Sequence, residues 1–212
     1  MRIFLAGASG VIGIRLLPLL VEQGHAVAAM TRTAGKAERL RALGGEPVVC
    51  DVFDAERLTE AVNLFGSDAV IHQLTDLPAQ ADELAAYADR NDRIRSEGTR
   101  NLIAAARAAS AESFVAQSIA WRPEGARGAV IEEHERLVLE AGGVVARYGR
   151  LYGPETYYED ELPPPPRIHV DDAALWTVPL LAHKPGIVTI AESEAAAGEG
   201  EQRGSERRDG PR

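Results

Sequence analysis

Three glycines in seven residues constrain this chain more than any other feature. They lie in Gly7-Ala8-Ser9-Gly10-Val11-Ile12-Gly13, between the apolar run Arg2–Ala6 and the helical pattern Val11–Gln23. The first glycine permits a tight turn and the second lets backbone approach a diphosphate. The third lets helix pack closely on strand, while the helix N-terminus offers free N–H donors and a positive dipole end. Three spaced glycines alone are a weak signal; a strand directly before and a helix directly after make them a dinucleotide-binding loop. A glycine-rich turn without a ligand is the reading that this context opposes.

The rest of the 212 residues repeats the strand–helix alternation. Apolar or β-branched runs predict strands at Arg2–Ala6, Ala26–Thr31, Pro47–Asp51, Ala69–Leu74, Ser113–Ser118, Val144–Tyr148 and Ile187–Ile190. Several are nearly continuous apolar runs, as parallel strands covered on both faces require. Helical patterns fill the gaps at Val11–Gln23, Lys36–Leu43, Ala55–Asn63, Arg93–Ala109 and Val130–Ala141, with Asp54 as an N-cap and paired glycines as stops. Right-handed crossovers then give an α/β fold with a doubly wound, Rossmann-type parallel sheet and a reduced C-terminal substrate region. The predicted domain is 1–191, with a small substrate-side segment at about 152–185. The proline run Pro163–Pro166 reads as a rigid connector. Residues 192–212, rich in Glu, Gly, Arg, Ala and Ser, read as a disordered tail.

Composition narrows the function. A net charge of −9 opposes a nucleic-acid surface, yet a local donor-rich loop can still hold one anionic cofactor. The single cysteine, Cys50, excludes an intrachain disulfide and a cysteine-rich zinc site, and no metal site is expected. No stretch reads as a secretory signal or a membrane span, so a cytoplasmic protein acting on a small molecule is expected. The second strand ends in Thr31-Arg32, where NAD-preferring proteins usually carry an acid for the ribose hydroxyls. Arg32 would instead pair with a 2′-phosphate, which points to NADP over NAD. Asp51, with Val52 beside it, either accepts from the adenine amino group or caps the turn before the next helix.

Six short segments then carry a family resemblance: the glycine loop, Cys50-Asp51-Val52, Val70–Thr75, Glu97–Leu102, Arg147–Pro154 and Ile168–Ala173. In order and spacing they resemble the short-chain dehydrogenase/reductase superfamily, in its extended and atypical members related to NAD-dependent epimerases and dehydratases. The resemblance covers roughly Met1 to Glu192. It implies that Leu74 and Thr75 lie beside the cofactor's ribose and phosphates, and that Ser118 stands in the place of a catalytic Ser or Thr. It further implies that Tyr152-Gly153-Pro154 flanks the nicotinamide and that His169 shapes the substrate side.

One departure separates binding from catalysis. Family members carry a Tyr-x-x-x-Lys pair after the fifth strand, the tyrosine moving the substrate proton. With Glu135 aligned to the family's helix glutamate, those places hold Arg127 and Ile131, and Arg95 stands near the family's usual asparagine. His134 and Tyr152 are candidate replacements for the tyrosine, with Tyr157 and Tyr158 on a loop over the substrate. His134 also reads as a solvated histidine in the charged run Glu132–Arg136, and His72 as a core histidine. Two functions remain open: an NAD(P)-dependent oxidoreductase or epimerase/dehydratase-like enzyme acting on a secondary alcohol or carbonyl, and a non-catalytic NADP-binding sensor or regulator. The alanine-rich helix at Arg93–Ala109 would serve a homodimer, or simply reflect alanine's helix propensity.

Overall fold

A computed structural model describes residues 1–192. The expected disordered tail lies outside the described residues, apart from Glu192. That residue is held to the domain: its N–H donates to the Arg167 carbonyl at 2.8 Å, and Arg167 Nε meets its carboxylate at 3.1 Å.

The chain runs β1 (Arg2–Ala6), α1 (Gly13–Glu22), β2 (Ala26–Thr31), α2 (Ala37–Ala42), β3 (Glu46–Val49), α3 (Ala55–Phe65) and β4 (Ala69–His72). It continues through α4 (Ala88–Arg93), a π-helical turn at Ile94–Gly98, α5 (Thr99–Ala108), β5 (Ser113–Ile119), α6 (Ala126–Glu140) and β6 (Val144–Tyr148). The last elements are β7 (Arg150–Tyr152), β8 (Arg167–His169), α7 (Val170–Thr177) and β9 (Gly186–Ile190).

Seven strands form one sheet in the order β3-β2-β1-β4-β5-β6-β9, every neighbour parallel. Because strand side chains alternate between faces, β1 feeds two cores at once. Ile3 and Leu5 pack in one layer with Leu16, Leu17 and Leu20 of α1. Phe4 and Ala6 pack in the other with Leu58 and Val62 of α3 and Leu102 of α5. Each fully buried Leu, Ile or Phe contributes about 1.5–3 kcal/mol, so the continuous apolar strands are the main stabilising element. The order reverses between β1 and β4, and the crevice beyond the strand ends at that switch point is where doubly wound sheets bind ligands.

The expected helix at Arg93–Ala109 begins earlier, at Ala88, and is interrupted by the π turn. Three elements, β7, β8 and α7, escape the sequence pattern. β7 and β8 pair as a separate parallel ribbon of three residues each, too short for period-two alternation to register. The segment Ile168–Ala173 opens α7, which His169 caps by accepting the Asp171 N–H at 3.3 Å.

Candidate functional site

A cleft of about 1000 Å³ runs across the C-terminal ends of β1 through β6. Its floor at the switch point is the glycine loop. Gly7 has φ +89°, and a Cβ there would come within 2.7 Å of the Gln73 backbone on the β4 side. A Cβ on Gly13 would lie 2.1 Å from the Gly7 carbonyl oxygen. Gly7 and Gly13 therefore set the loop's shape, with Ala8 buried beneath it. Gly7, Ser9, Gly10, Val11 and Ile12 face the cleft. The Val11 and Ile12 N–H groups meet no acceptor among the described residues, leaving donors at the start of α1 as a bound diphosphate needs. The loop thus fits a dinucleotide.

Thr31, Arg32, Asp51 and Val52 line the half of the cleft above β2 and β3, and Leu74 and Thr75 line it beyond β4. Thr31 Oγ1 lies 3.1 Å from Ser9 Oγ and accepts the Thr33 N–H. Asp51 accepts the Phe53 N–H at 3.0 Å, so it shapes its turn while lining the cleft, and Asp54 caps α3. Arg32 is not a free solvated side chain. Its guanidinium pairs with Asp76 at 3.0 and 3.3 Å, and Arg90 grips the same carboxylate at 3.0 and 3.1 Å. Burial alone would raise the Asp76 pKa, but the hydrogen bonds and charges of Arg32 and Arg90 outweigh it and hold the carboxyl below its usual range. Two arginines on Asp76, with Lys36 also on the cleft wall, exceed the charge of Asp76 and Asp51 together and leave this end with a small positive surplus.

Above β5 the wall is built from Gln117, Ser118, Arg127 and Ile131, with Tyr148 at the end of β6. Ser118, 1% exposed, donates its hydroxyl to Glu135 Oε1 at 2.7 Å. Glu135 in turn receives both arms of Arg147 from β6, with Nε at 2.8 Å, and Arg122 at 3.4 Å. Desolvation pushes the Glu135 pKa up, yet the Arg147 and Ser118 hydrogen bonds prevail and keep it ionised below the ordinary range. Sequence reasoning uses Glu135 only to align the helix. Tyr148, buried and bonded to Gln73 and Thr177, is pushed up to about 12 by burial, and its hydroxyl stays protonated.

His134 does not line the cleft, nor is it solvated: it is fully buried beneath Gln117. Its Nε2 has only a carbonyl partner, Gln117 O at 2.9 Å, so that nitrogen carries the proton. In the neutral ring its Nδ1 accepts from Thr99 Oγ1 at 2.8 Å, the shorter of its two contacts, with the Arg95 carbonyl at 3.3 Å. The Thr99 oxygen accepts from His72 Nε2 at 3.1 Å, and His72 Nδ1 accepts the Leu74 N–H at 3.2 Å. This directed chain needs both histidines neutral. Burial, the largest cause, lowers both pKa values, and for His134 it prevails over the Gln117 and Arg95 carbonyls, which act in the opposite direction. His72 is the core histidine that its strand predicts; His134 belongs to the same network and has no access to a ligand.

Tyr152 is also turned away from the cleft. Its hydroxyl donates to Glu192, and its ring meets His169 edge-on at 5.2 Å. Burial and that carboxylate raise its pKa to about 12, which removes it as a proton carrier near neutrality. A Cβ on Gly153 would strike the His169 ring at 2.5 Å, so Tyr152-Gly153-Pro154 is a packing turn and His169 its partner. The next residues do reach the site: Tyr157 and Tyr158 line the cleft, and Tyr157 donates to the Pro78 carbonyl at 2.6 Å.

A doubly wound parallel sheet with a donor-rich glycine loop at its switch point defines a dinucleotide-binding protein. The chain belongs to the NAD(P)H-binding family, whose model matches residues 7–141. It is 38% identical to a 3-diazoavenalumate denitrifying reductase from Streptomyces, over 74% of this chain and 59% of that protein. It is 30% identical to a 4-hydroxy-2-methyl-3-oxo-4-farnesyl-3,4-dihydroquinoline-1-oxide ketoreductase from Stigmatella aurantiaca, over 68% of this chain and 46% of the relative. The chain thus spans about half the length of these relatives. Among solved structures, the Thermus thermophilus UDP-glucose 4-epimerase in complex with NAD superposes with a TM-score of 0.73 at 20% identity, covering 92% of this chain and 78% of the epimerase. The Brucella ovis UDP-glucose 4-epimerase in complex with NAD gives 0.74 at 18%, covering 90% and 77%. These likenesses show that the chain shares the fold of those epimerases. Among the described residues no helix is long and apolar enough to cross a membrane.

Proposed function

We propose that this chain is an NAD(P)-dependent oxidoreductase, or an epimerase/dehydratase-like enzyme, acting on a secondary alcohol or carbonyl carbon of a small molecule. The observation that carries the reading is Ser118, a buried hydroxyl in the cleft wall, fixed by an ionised Glu135 that Arg147 anchors. A side chain held that firmly positions a substrate oxygen without losing orientational freedom on binding. Ser9 to Ile12 would hold the diphosphate, with Asp51, Val52, Leu74 and Thr75 along the rest of the dinucleotide. When bound, the nicotinamide supplies or accepts the hydride. With its own proton directed at Glu135, the Ser118 oxygen accepts from the hydroxyl of the alcohol form of the substrate, and Glu135 orients Ser118 from behind it. NADP is the preferred cofactor on this reading, because Arg32, Arg90 and Lys36 outnumber Asp76 and Asp51 at this end of the cleft. A homodimer remains part of the proposal, although Ala105 and Ala106 of α5 are already buried within their own fold.

A non-catalytic NADP-binding role is the second reading. It draws on Arg127 and Ile131 lining the cleft in place of a tyrosine and a lysine. Following NADPH oxidation with a panel of ketones and aldehydes separates the two. Turnover that falls about 100-fold in kcat/KM on Ser118→Ala, the scale of losing one positioned hydrogen-bonding group, supports the enzyme. Turnover unaffected by that substitution removes Ser118 from the chemistry. NADPH binding with no turnover of any carbonyl favours the second reading.

A further inference from the structure

Arg95 is the one side chain with a buried polar atom that meets no hydrogen-bond partner among the described residues: its Nε is orphaned. The side chain is 8% exposed and lines the cleft. Among the described residues no carboxylate lies within ion-pair distance of it. The carboxylates that face it, Asp92 and Glu135, act only from further away, and Glu135 is already occupied by Arg147, Arg122 and Ser118. A guanidinium taken out of water without a partner is costly to fold, and desolvation lowers the Arg95 pKa accordingly. The backbone singles this group out as well: the π turn at Ile94–Gly98 adds a residue to the helix just where Arg95 meets the cleft.

Two further arginines that line the same cleft have the same character. Arg127 has no ion-pair partner among the described residues. Arg150 meets only the Pro164 and Pro165 carbonyls, and stacks over Trp121, with 4.8 Å from its guanidinium carbon to the ring centroid. Three arginines unneutralised by carboxylates, beside an aromatic face, stand out in a protein of net charge −9. The cofactor's phosphates have their own donors on the glycine loop and around Arg32.

We infer that Arg95, with Arg127 and Arg150 around it, forms an anion subsite for a carboxylate carried by the substrate, which makes the substrate class small carboxylated carbonyl or alcohol compounds with an aromatic or planar body. This rests on the proposed function, since it takes Ser118 to mark the substrate end. A planar guanidinium recognises a carboxylate through two parallel hydrogen bonds, and Trp121 offers the flat surface for the body.

Calorimetric titration of the full chain, cofactor-free and loaded with NADP, with benzoate and with its neutral isostere benzamide tests the subsite. Benzoate should bind saturably and at least about tenfold more tightly than benzamide, the scale of a buried charge-assisted pair. Arg95→Met should remove that advantage while leaving NADPH affinity and benzamide binding unchanged. Should Arg95→Met lack a cooperative thermal transition, Arg95→Gln takes its place, and the benzoate–benzamide contrast in the wild type stands without either variant. Equal binding of the two probes, or none, overturns the inference. So does an Arg95→Met variant that loses NADPH affinity by the same factor, which would assign the arginine to a cofactor phosphate. Loss of the dinucleotide reading is seen separately, as absent NADPH binding by a wild-type chain whose affinity for benzoate is measured without cofactor.

Discussion

Removing the Glu135 carboxylate would strand Ser118, Arg147 and Arg122 together, because all three direct donors at it. Breaking a buried pair from one side leaves an uncompensated charge, so Glu135→Gln should cost about 3 kcal/mol of unfolding free energy. The pH dependence follows from the depressed native pKa. As pH falls, the unfolded chain protonates this residue first, near its ordinary value of about 4.3, while the native state still resists. The stabilisation is therefore complete above that value and is lost as pH falls through the lower native one. Chemical denaturation should show a constant gap between wild type and Glu135→Gln from about pH 5 to 8, narrowing below about pH 4. A gap that ignores acidification would contradict the ion-paired assignment. Sequence reading finds Arg32 and Ser118 but neither of their partners. Asp76 is 44 residues from Arg32 and sits in a loop without a motif; only the fold brings them together.

At the scale of elements, α6 shows why a charged run misleads. Ile131, His134, Glu135 and Val138 are its buried stripe, spaced as one helical face. Two of the four are polar, so hydropathy assigns them to solvent, while their burial is made possible only by partners on β5, α5 and β6. The His72–Thr99–His134 chain ties β4, α5 and α6 together and fixes the Leu74 N–H and the Gln117 carbonyl at the cleft. Both imidazoles should appear by nitrogen NMR as neutral Nε2–H tautomers, and should still be neutral where an ordinary histidine, at about pH 6.5, has begun to charge. An ordinary titration near about pH 6.5, or a proton on either Nδ1, would break the proposed direction of the chain. The π turn is equally invisible in the sequence, since an added residue within a helix leaves its local composition unchanged.

For the whole molecule, the strands are legible because each is a buried apolar run; Ala26–Thr31 and Val144–Tyr148 match the structure residue for residue. The glycine loop announces the switch point for a related reason, as its residues are dictated by sterics local to the chain. The substrate side is less legible. The β7–β8 ribbon depends on partners 17 residues apart, as in Arg150 with Arg167, and the Tyr152 turn packs onto His169 instead of facing a ligand. On the function proposed above, the cleft binds a nicotinamide dinucleotide and Arg32 recognises its 2′-phosphate. Fluorescence titration with NADPH and NADH on wild type and Arg32→Ala tests both halves. One saturable site that prefers NADPH is expected, with Arg32→Ala losing about tenfold in NADPH affinity and little in NADH affinity. Equal affinity for the two dinucleotides would contradict the Arg32 assignment, and no saturable binding of either would contradict the claim itself.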